Sequence, residues 1–265
     1  MPNPVIKASF PKTENAADLK FYSHTHEEYE LYLFLTGDVE FYIEGTRYVP
    51  TTGDILLIRQ AESHAAFAKS PAPYHRIVIH FSASALLGSP EETARIRSFL
   101  DARPLGMGNF YPASNQGPFW MHYIQNICDT KELSRRQIYL TVLLHELSRL
   151  EAAETPVPKR DPISAVIDHI NANLTESLSL EHLCSRFFIS KAQLNRRFKR
   201  ITGTTVWDYI VTKRLFLARS LLRAGESPSA ACVKSGFRDY CSFSRAYKNH
   251  FGCSPREDTS HSPQE

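Results

Sequence analysis

The stretch SLSLEHLCSRFFISKAQLNRRFKRITG, residues 177–203, carries the pattern that decides the fold of the C-terminal part of the chain. Ser179 and Ser190 each precede a helix-sized segment, where a serine hydroxyl can accept from the unpaired amides of the first turn. Apolar residues recur in the second segment at i, i+4 and i+7: Leu194, Phe198 and Ile201. Gly203 ends that segment. The stretch therefore predicts two short helices joined by a tight turn.

The opposite face of the second segment is polar and basic. It carries side chains that bind phosphate or contact base edges: Lys191, Gln193, Asn195, Arg196, Lys199 and Arg200. A similar pattern recurs further along, where Ser227-Pro228 begins a helix, Gly236-Phe237 makes the turn and Asp239 caps the next helix. That helix exposes Ser242, Arg245 and Lys248. Two helix-turn-helix units joined by a long helix are predicted.

Positive charge is concentrated in the same part of the chain. Residues 1–162 carry 16 Lys and Arg against 19 Asp and Glu, whereas residues 163–265 carry 15 against 9. No acidic residue lies between Glu181 and Asp208. A charge run by itself is most often a solvated face, but beside two helix-turn-helix patterns it indicates a polyanionic partner, double-stranded DNA.

On these motifs, residues 163–256 resemble the DNA-binding domain of the AraC/XylS family of transcriptional regulators. The matching residues include Leu180, Leu183, Ser190, Leu194, Arg196, Phe198, Lys199, Gly203, Tyr209, Arg214, Ala218, Gly236, Phe237, Phe243, Ser244, Arg245, Tyr247, Phe251, Gly252 and Pro255. The resemblance implies base contacts from Ala192, Asn195 and Arg196 in the first unit and from Cys241, Ser242 and Arg245 in the second. It also implies contact with RNA polymerase, and an activator by default, with repression left open.

The second unit departs from the family pattern. Pro228 and Ala231-Cys232 replace the Ile and Ile-Ala usual in its first helix. Glu257-Asp258 stand where the family often has Tyr-Arg. We therefore expect the second unit to discriminate less between bases than the first.

The N-terminal half shows the pattern of short strands. Residues 30–81 tend to alternate apolar and polar positions, and turn signals recur at residues 36–38, 44–46 and 52–54. This spacing is typical of a small barrel or jelly roll. Helical periodicity begins at Phe119, and leucines then recur at i, i+3, i+4, i+7 and i+10: Leu140, Leu143, Leu144, Leu147 and Leu150. This stripe is either intramolecular core or, as we predict, the contact of a homodimer.

The same half resembles the cupin family in two motifs. His24-x-His26-x-x-x-Glu30 with Gly37 is similar to the first motif. Gly53-Asp54 followed by His64 is similar to the second, although Arg59 and Ala61 stand where Pro and Gly are usual. All four positions that bind metal in cupin enzymes keep a ligand type: His24, His26, Glu30 and His64. Three imidazoles and a carboxylate would suit a divalent transition metal, Zn, Ni, Mn or Fe.

Three hypotheses fit these four residues. They could bind a small polar effector such as a sugar, because a carboxylate accepts hydrogen bonds from hydroxyls and imidazoles both donate and accept. They could hold a metal, in a metal sensor or in a cupin enzyme that carries a DNA-binding domain. They could also be ordinary strand residues. Fusion to a DNA-binding domain favours the effector, with no cofactor required and no enzymatic activity.

The predicted fold class is α+β in two domains, a cupin or jelly-roll barrel with connector helices followed by an all-α double helix-turn-helix domain. We predict an effector-binding barrel over residues 1–117, a connector over 118–152, a linker over 153–162 and the DNA-binding domain over 163–258. The sequence shows no signal peptide or membrane span. Five cysteines without metal-site spacing fit reduced thiols, so we expect a cytoplasmic protein.

Overall fold

The computed structural model describes residues 3–18, 23–115, 119–150 and 162–259. The chain divides into two compact units, residues 2–161 and residues 162–265. The predicted linker, residues 153–162, lies outside the described residues except for Pro162, which begins a helix. No helix in the described ranges combines the length and apolar character needed to span a membrane.

The N-terminal unit contains two antiparallel sheets. Its strands are β1 (Ile6–Ser9), β2 (Lys12–Thr13), β3 (Tyr29–Thr36), β4 (Val39–Ile43), β5 (Thr46–Tyr48), β6 (Ile55–Ile58), β7 (His64–Ala68), β8 (Tyr74–Phe81) and β9 (Phe110–Tyr111). The larger sheet has the order β1-β8-β3-β6-β9, with β2 also paired to β8, and the smaller has the order β5-β4-β7. Short 3-10 helices cover Ala16–Asp18, Ala83–Ala85 and Ala113–Asn115.

The larger sheet is covered on both faces. Side chains alternate in direction along each strand, so the two faces present two different sets of side chains. One set, including Leu31, Leu33 and Ile79, packs against helices α1 (Pro90–Asp101), α2 (Trp120–Asp129) and α3 (Leu133–Arg149). The other set, including Tyr32 and Val78, packs against Phe41 and its neighbours on the smaller sheet. Helices, large sheet and small sheet therefore form three layers.

The predicted small barrel or jelly roll takes the form of two facing antiparallel sheets that do not close into a barrel. The two sheets meet face to face through apolar side chains, and none of the described strands pairs with strands of both sheets. The strand prediction for residues 30–81 is confirmed. Helix α1 falls in a segment for which no helix was predicted, although Ser89 caps it with a capping box to Glu92 and Pro90 opens it.

The leucine stripe of α3 is intramolecular core. Leu140, Leu143, Leu144 and Leu147 are each 0% exposed and belong to the cluster formed by α1–α3 and the large sheet. The prediction that this stripe forms the dimer contact is wrong, because the sheet needs a helical layer on that face to bury its own apolar side chains. The side chains of α3 that do face solvent include Ile138 and Val142.

The C-terminal unit is all-α. Its helices are α4 (Pro162–Ala172), α5 (Leu180–Arg186), α6 (Lys191–Thr202), α7 (Val206–Arg223), α8 (Pro228–Lys234), α9 (Tyr240–Phe251) and α10 (Pro255–Thr259). The predicted caps are confirmed. Hydroxyls of Ser179, Ser190 and Ser227 and the carboxylate of Asp239 accept from backbone amides at the starts of α5, α6, α8 and α9. The pairs α5–α6 and α8–α9 are the two helix-turn-helix units, and α7 joins them.

Candidate functional sites

A cavity of about 450 Å³ lies in the N-terminal unit between the two sheets. Its polar lining comes from a carboxylate, three imidazoles, two phenols, a hydroxyl and a guanidinium: Glu30, His24, His64, His80, Tyr32, Tyr74, Ser9 and Arg76. Its apolar lining comes from Pro11, Phe41, Ala65, Ala66 and Val78. This size and mixture of lining suit a small polar ligand.

The pairing of β3 with β8 decides which side chains line this cavity. Glu30 lies opposite His80 in the register, and Tyr32 lies opposite Val78. Residues two apart on a strand share a face, so Tyr74, Arg76, Val78 and His80 all face the cavity. The sequence places Tyr74, His75, Arg76 and His80 on or beside this strand but does not by itself fix which of them line a pocket. Alternation of side chains along β8, together with the pairing of His80 opposite Glu30, is the pattern that places His80 on the cavity face.

Glu30 is the centre of the polar cluster. Its Oε2 lies 2.9 Å from Nε2 of His26, 3.0 Å from Nε2 of His80 and 3.4 Å from Nε2 of His64. Burial alone raises the pKa of a carboxyl group, but here the charge of His64 and the contacts with the imidazoles outweigh burial and hold the pKa of Glu30 well below its ordinary value. Glu30 is therefore an ionised acceptor in a buried position, 4% exposed.

The ring orientations of two histidines follow from their backbone contacts. Nδ1 of His26 lies 2.7 Å from the carbonyl oxygen of Glu28, and Nδ1 of His64 lies 2.9 Å from that of Glu62. A carbonyl oxygen only accepts, so both Nδ1 atoms carry a proton. In the neutral tautomer each Nε2 then presents a lone pair to Oε2 of Glu30, which is repulsive unless a proton or a cation lies between them. Within the described part of the chain, Nε2 of His64 is buried and has no hydrogen-bond partner.

The structure brings the four predicted residues together. Ligand atoms of His24, His26, Glu30 and His64 all lie within 4.8 Å of one another. Alternation along a single strand does not account for this arrangement, because a bend at residues 27–28 precedes β3. His24, which lies outside the named strands, instead forms an isolated backbone bridge with His64 of β7, and their ring centres are 4.2 Å apart. This bridge brings His24 into the cluster.

Two tyrosines and an arginine lie further along the cavity. The hydroxyls of Tyr32 and Tyr74 are hydrogen-bonded to each other. Burial raises the pKa of Tyr74 to about 12 and that of Tyr32 well above its ordinary value, so both remain protonated at neutral pH. The guanidinium carbon of Arg76 lies 4.5 Å from the centre of the Tyr74 ring, a cation–π contact.

Helix α6 has one buried and one exposed face. Leu194 and Phe198 are fully buried. The six residues predicted to face DNA are all exposed: Lys191, Gln193, Asn195, Arg196, Lys199 and Arg200. Contacts within the unit are also present on this face: Lys191 pairs with Glu181 at 3.3 Å, and the side chain of Gln193 accepts from Ser190 in the capping box.

Helix α9 repeats this arrangement with fewer charges. Phe243 and Tyr247 are buried, whereas the predicted DNA-facing residues are exposed: Cys241, Ser242, Arg245 and Lys248. Both helices have small or polar N-terminal turns and end at left-handed glycines, Gly203 and Gly252. Each exposed face could therefore enter a major groove, which is about 12 Å wide.

Comparison with known proteins identifies families for both units. The AraC-like ligand binding domain matches residues 8–147, more than half of the chain, and a helix-turn-helix domain matches residues 183–260. The HTH-type transcriptional activator RhaS of Escherichia fergusonii is 24% identical over 254 residues, which cover 89% of this chain and 87% of RhaS. The HTH-type transcriptional activator RhaR of Enterobacter sp. strain 638 is 25% identical over 248 residues, 89% of this chain and 86% of RhaR.

Solved structures with similarity to the chain include ToxT from Vibrio cholerae. It is 12% identical with a TM-score of 0.40, and the alignment covers 96% of this chain and 98% of ToxT. The DNA-binding domain of AdpA, solved in complex with a target DNA, is 26% identical with a TM-score of 0.37 and covers 38% of this chain and 91% of that domain.

Proposed function

Because this chain belongs to the AraC family of transcriptional regulators, we propose that a ligand in the cavity around Glu30 controls how α6 and α9 bind DNA. The observation that carries this assignment of the site is the buried Glu30 beside Nε2 of His64, which lies 3.4 Å from its Oε2 and makes no hydrogen bond within the described part of the chain. A buried polar atom without a partner destabilises the empty fold, so such atoms indicate a bound group. A sugar-like effector supplies hydroxyls that both donate to Glu30 and accept from imidazole N–H groups.

The exposed faces of α6 and α9 are the proposed DNA-reading surface. Asn195 and Arg196 have the side chains that pair with adenine and guanine edges, and Lys199 and Arg200 suit phosphate. Ser242 and Arg245 do the same in the second unit. Two such helices in successive major-groove segments, about one helical turn apart, define the half-site.

Control requires that the ligand favours one of two states of the protein. We assign the regulator to the cytoplasm as a homodimer that activates transcription by contacting RNA polymerase. Ligand binding then changes which pairs of half-sites the dimer spans. The metalloenzyme alternative is not favoured, because the relatives along the whole chain are transcriptional activators.

The test begins with selection of binding sites for the full chain from a random double-stranded DNA library. The selected duplex is then used in mobility-shift assays with wild type, Arg196→Ala and Glu30→Gln. Arg196→Ala is expected to lose preference for the selected sequence. Glu30→Gln is expected to bind the duplex but to lose its response to the effector. Failure of the full chain to enrich any sequence would contradict the proposal.

A second candidate for the same cluster is a transition metal ion, and the orientation of His26 and His64 favours it. Metal-binding histidines characteristically donate the other ring N–H to a carbonyl or carboxylate. His26 and His64 donate in this way to the backbone carbonyl oxygens of Glu28 and Glu62. The residues fit the group, with three imidazoles and one carboxylate within 4.8 Å. Bound there, a metal would supply a Lewis-acidic position for an effector oxygen.

Elemental analysis of protein purified without an affinity tag decides between the two candidates. Metal binding predicts one equivalent of Zn, Ni, Mn or Fe in wild type and loss of it in His64→Ala. It also predicts that the stability of the wild type falls in chelator, since a ligand that binds only the folded state stabilises it. A metal-free wild type whose stability is unaffected by chelator would remove this candidate and leave direct effector binding.

A further inference from the structure

The cavity lining includes a cationic side chain, Arg76, that is not part of the cluster around Glu30. Arg76 lines the cavity from β8, and its Nη1 is buried without a hydrogen-bond partner among the residues that the structure describes. Guanidinium N–H groups are strong donors, so burying one without an acceptor is unfavourable. Arg76 is nevertheless held in place by the Tyr74 ring, 4.5 Å from its guanidinium carbon. A cation fixed in this way is prepared for an anion.

The separation of Arg76 from Glu30 and His80 limits which ligands fit the cavity. Arg76 and His80 are four residues apart on one face of β8, a Cα separation of about 13 Å. Between them lie Val78 and, across the strand pair, Tyr32. The cavity therefore has a cationic end at Arg76, a partly apolar middle and an end where the carboxyl group of Glu30 accepts hydrogen bonds.

We propose that the effector is a small carboxylate whose acid group binds Arg76 and whose hydroxyls reach toward Glu30 and His80. A sugar acid has this combination, whereas a neutral sugar offers the guanidinium only uncharged acceptors, which form weaker hydrogen bonds with it. A planar guanidinium matches a carboxylate with two parallel N–H donors, and the Tyr74 ring fixes its plane. This inference rests on the proposed function, because it names the class of ligand for the same cavity.

The experiment measures thermal unfolding of the full chain with matched pairs of probes. Sodium glucuronate, galacturonate, gluconate and lactate are each compared with glucose, galactose, sorbitol and propane-1,2-diol at equal ionic strength. At least one carboxylate is expected to raise the Tm of wild type while its neutral counterpart does not. Arg76→Met is expected to weaken binding of that carboxylate by roughly 10- to 100-fold, the loss of a charge-assisted hydrogen bond.

Arg47→Met is the matched control. Arg47 lies on β5, pairs with Glu40 and does not line the cavity, so the response to the carboxylate should be unchanged in this variant. Without ligand, Arg76→Met should unfold at a Tm no lower than that of Arg47→Met, because it removes a buried donor without a partner. A lower Tm would show that Arg76 has a structural role and would overturn the proposal.

The remaining outcomes are also decisive. The inference is wrong if only neutral probes raise the Tm, or if no carboxylate does. Binding of the selected duplex by the same wild-type sample reports the proposed function independently. If the wild type still binds the duplex, the proposed function stands and only the proposed class of effector is wrong.

Discussion

The two helix-turn-helix units have the same frame but differ in charge and in how their recognition helices are held. Helix α6 carries five Lys and Arg residues, Lys191, Arg196, Arg197, Lys199 and Arg200, whereas α9 carries only Arg245 and Lys248. The N-cap of α6 is the neutral Ser190, while the N-cap of α9 is Asp239, whose carboxylate accepts from the Ser242 amide. The first unit therefore has the stronger electrostatic attraction to DNA.

The second unit has a partly buried polar contact that joins three of its helices. Tyr247 of α9 donates to Asp258 of α10, and Nε of Arg219 on α7 lies 2.7 Å from the same carboxylate. Asp258 is one of the two residues that depart from the family pattern, and the structure assigns it to the interior of this unit. From this comparison we expect the first unit to contribute more electrostatic affinity for DNA than the second.

We expect the largest difference between the two units when their turns are mutated and the free energy of unfolding is measured. Phe188 and Gly236 occupy the same place, two residues after the first helix, and both have positive φ, 51° and 90°. A Cβ at Gly236 would lie 2.9 Å from Cα of Thr175, whereas Phe188 is 97% exposed. We expect Gly236→Ala to lower the free energy of unfolding by about 3 kcal/mol, from backbone strain and the steric clash.

Phe188→Gly is the matched control for that prediction. It relieves about 1 kcal/mol of left-handed strain but increases the conformational entropy of the unfolded chain by a similar amount. Its stability should therefore stay close to wild type. Urea denaturation measures both variants, and equal destabilisation of the two would contradict the difference between the turns.

The recognition helices should differ in their contribution to DNA binding. We expect Arg196→Ala to weaken binding to the selected duplex by about 1–3 kcal/mol and to relax the preference at one base position. Arg245→Ala should have about half that effect, because α9 adds less charge around it. Mobility shifts at several salt concentrations measure affinity and the number of phosphate contacts together. An Arg245→Ala loss larger than that of Arg196→Ala would reverse the assignment.

The contact between α9 and α10 should contribute stability without direct contact to DNA. Asp258→Asn should lower the free energy of unfolding by about 1–2 kcal/mol, since it weakens the hydrogen bond from Tyr247 and the ion pair with Arg219. A double-mutant cycle with Tyr247→Phe measures the coupling of the two residues by urea denaturation. Additive effects of the two substitutions would show that the contact is not energetically coupled.

The smallest effect is expected at the N-cap of α9. Asp239→Ser gives the second unit the neutral cap of the first, so the amide contact is kept while a negative charge near the DNA phosphates is removed. Affinity for the selected duplex should rise slightly, and more at low salt than at high salt. Ser190→Asp is the reciprocal variant and should lower affinity. Changes of the same sign in both variants would rule out an electrostatic effect of the cap.

Local sequence signals predicted the C-terminal unit well. Serine and aspartate caps, terminal glycines and apolar spacing are short-range features, and the helices begin and end where these residues lie. The polar cavity was predicted in part. His24, His26, Glu30 and His64 were identified from the resemblance to the cupin motifs, but His80 and Arg76 enter the cavity through the pairing of β3 with β8, which joins residues about 50 positions apart in the chain.

Residue types and their spacing were thus sufficient to predict paired helix-turn-helix units with a basic first recognition helix, because helices form through contacts between near neighbours. Tertiary structure decided the rest. It buried the leucine stripe of α3 under the large sheet, kept the two sheets from closing into a barrel, and brought Nε2 atoms from separate segments to one oxygen of Glu30. Strand register and sheet packing depend on contacts between distant segments, which local periodicity does not contain.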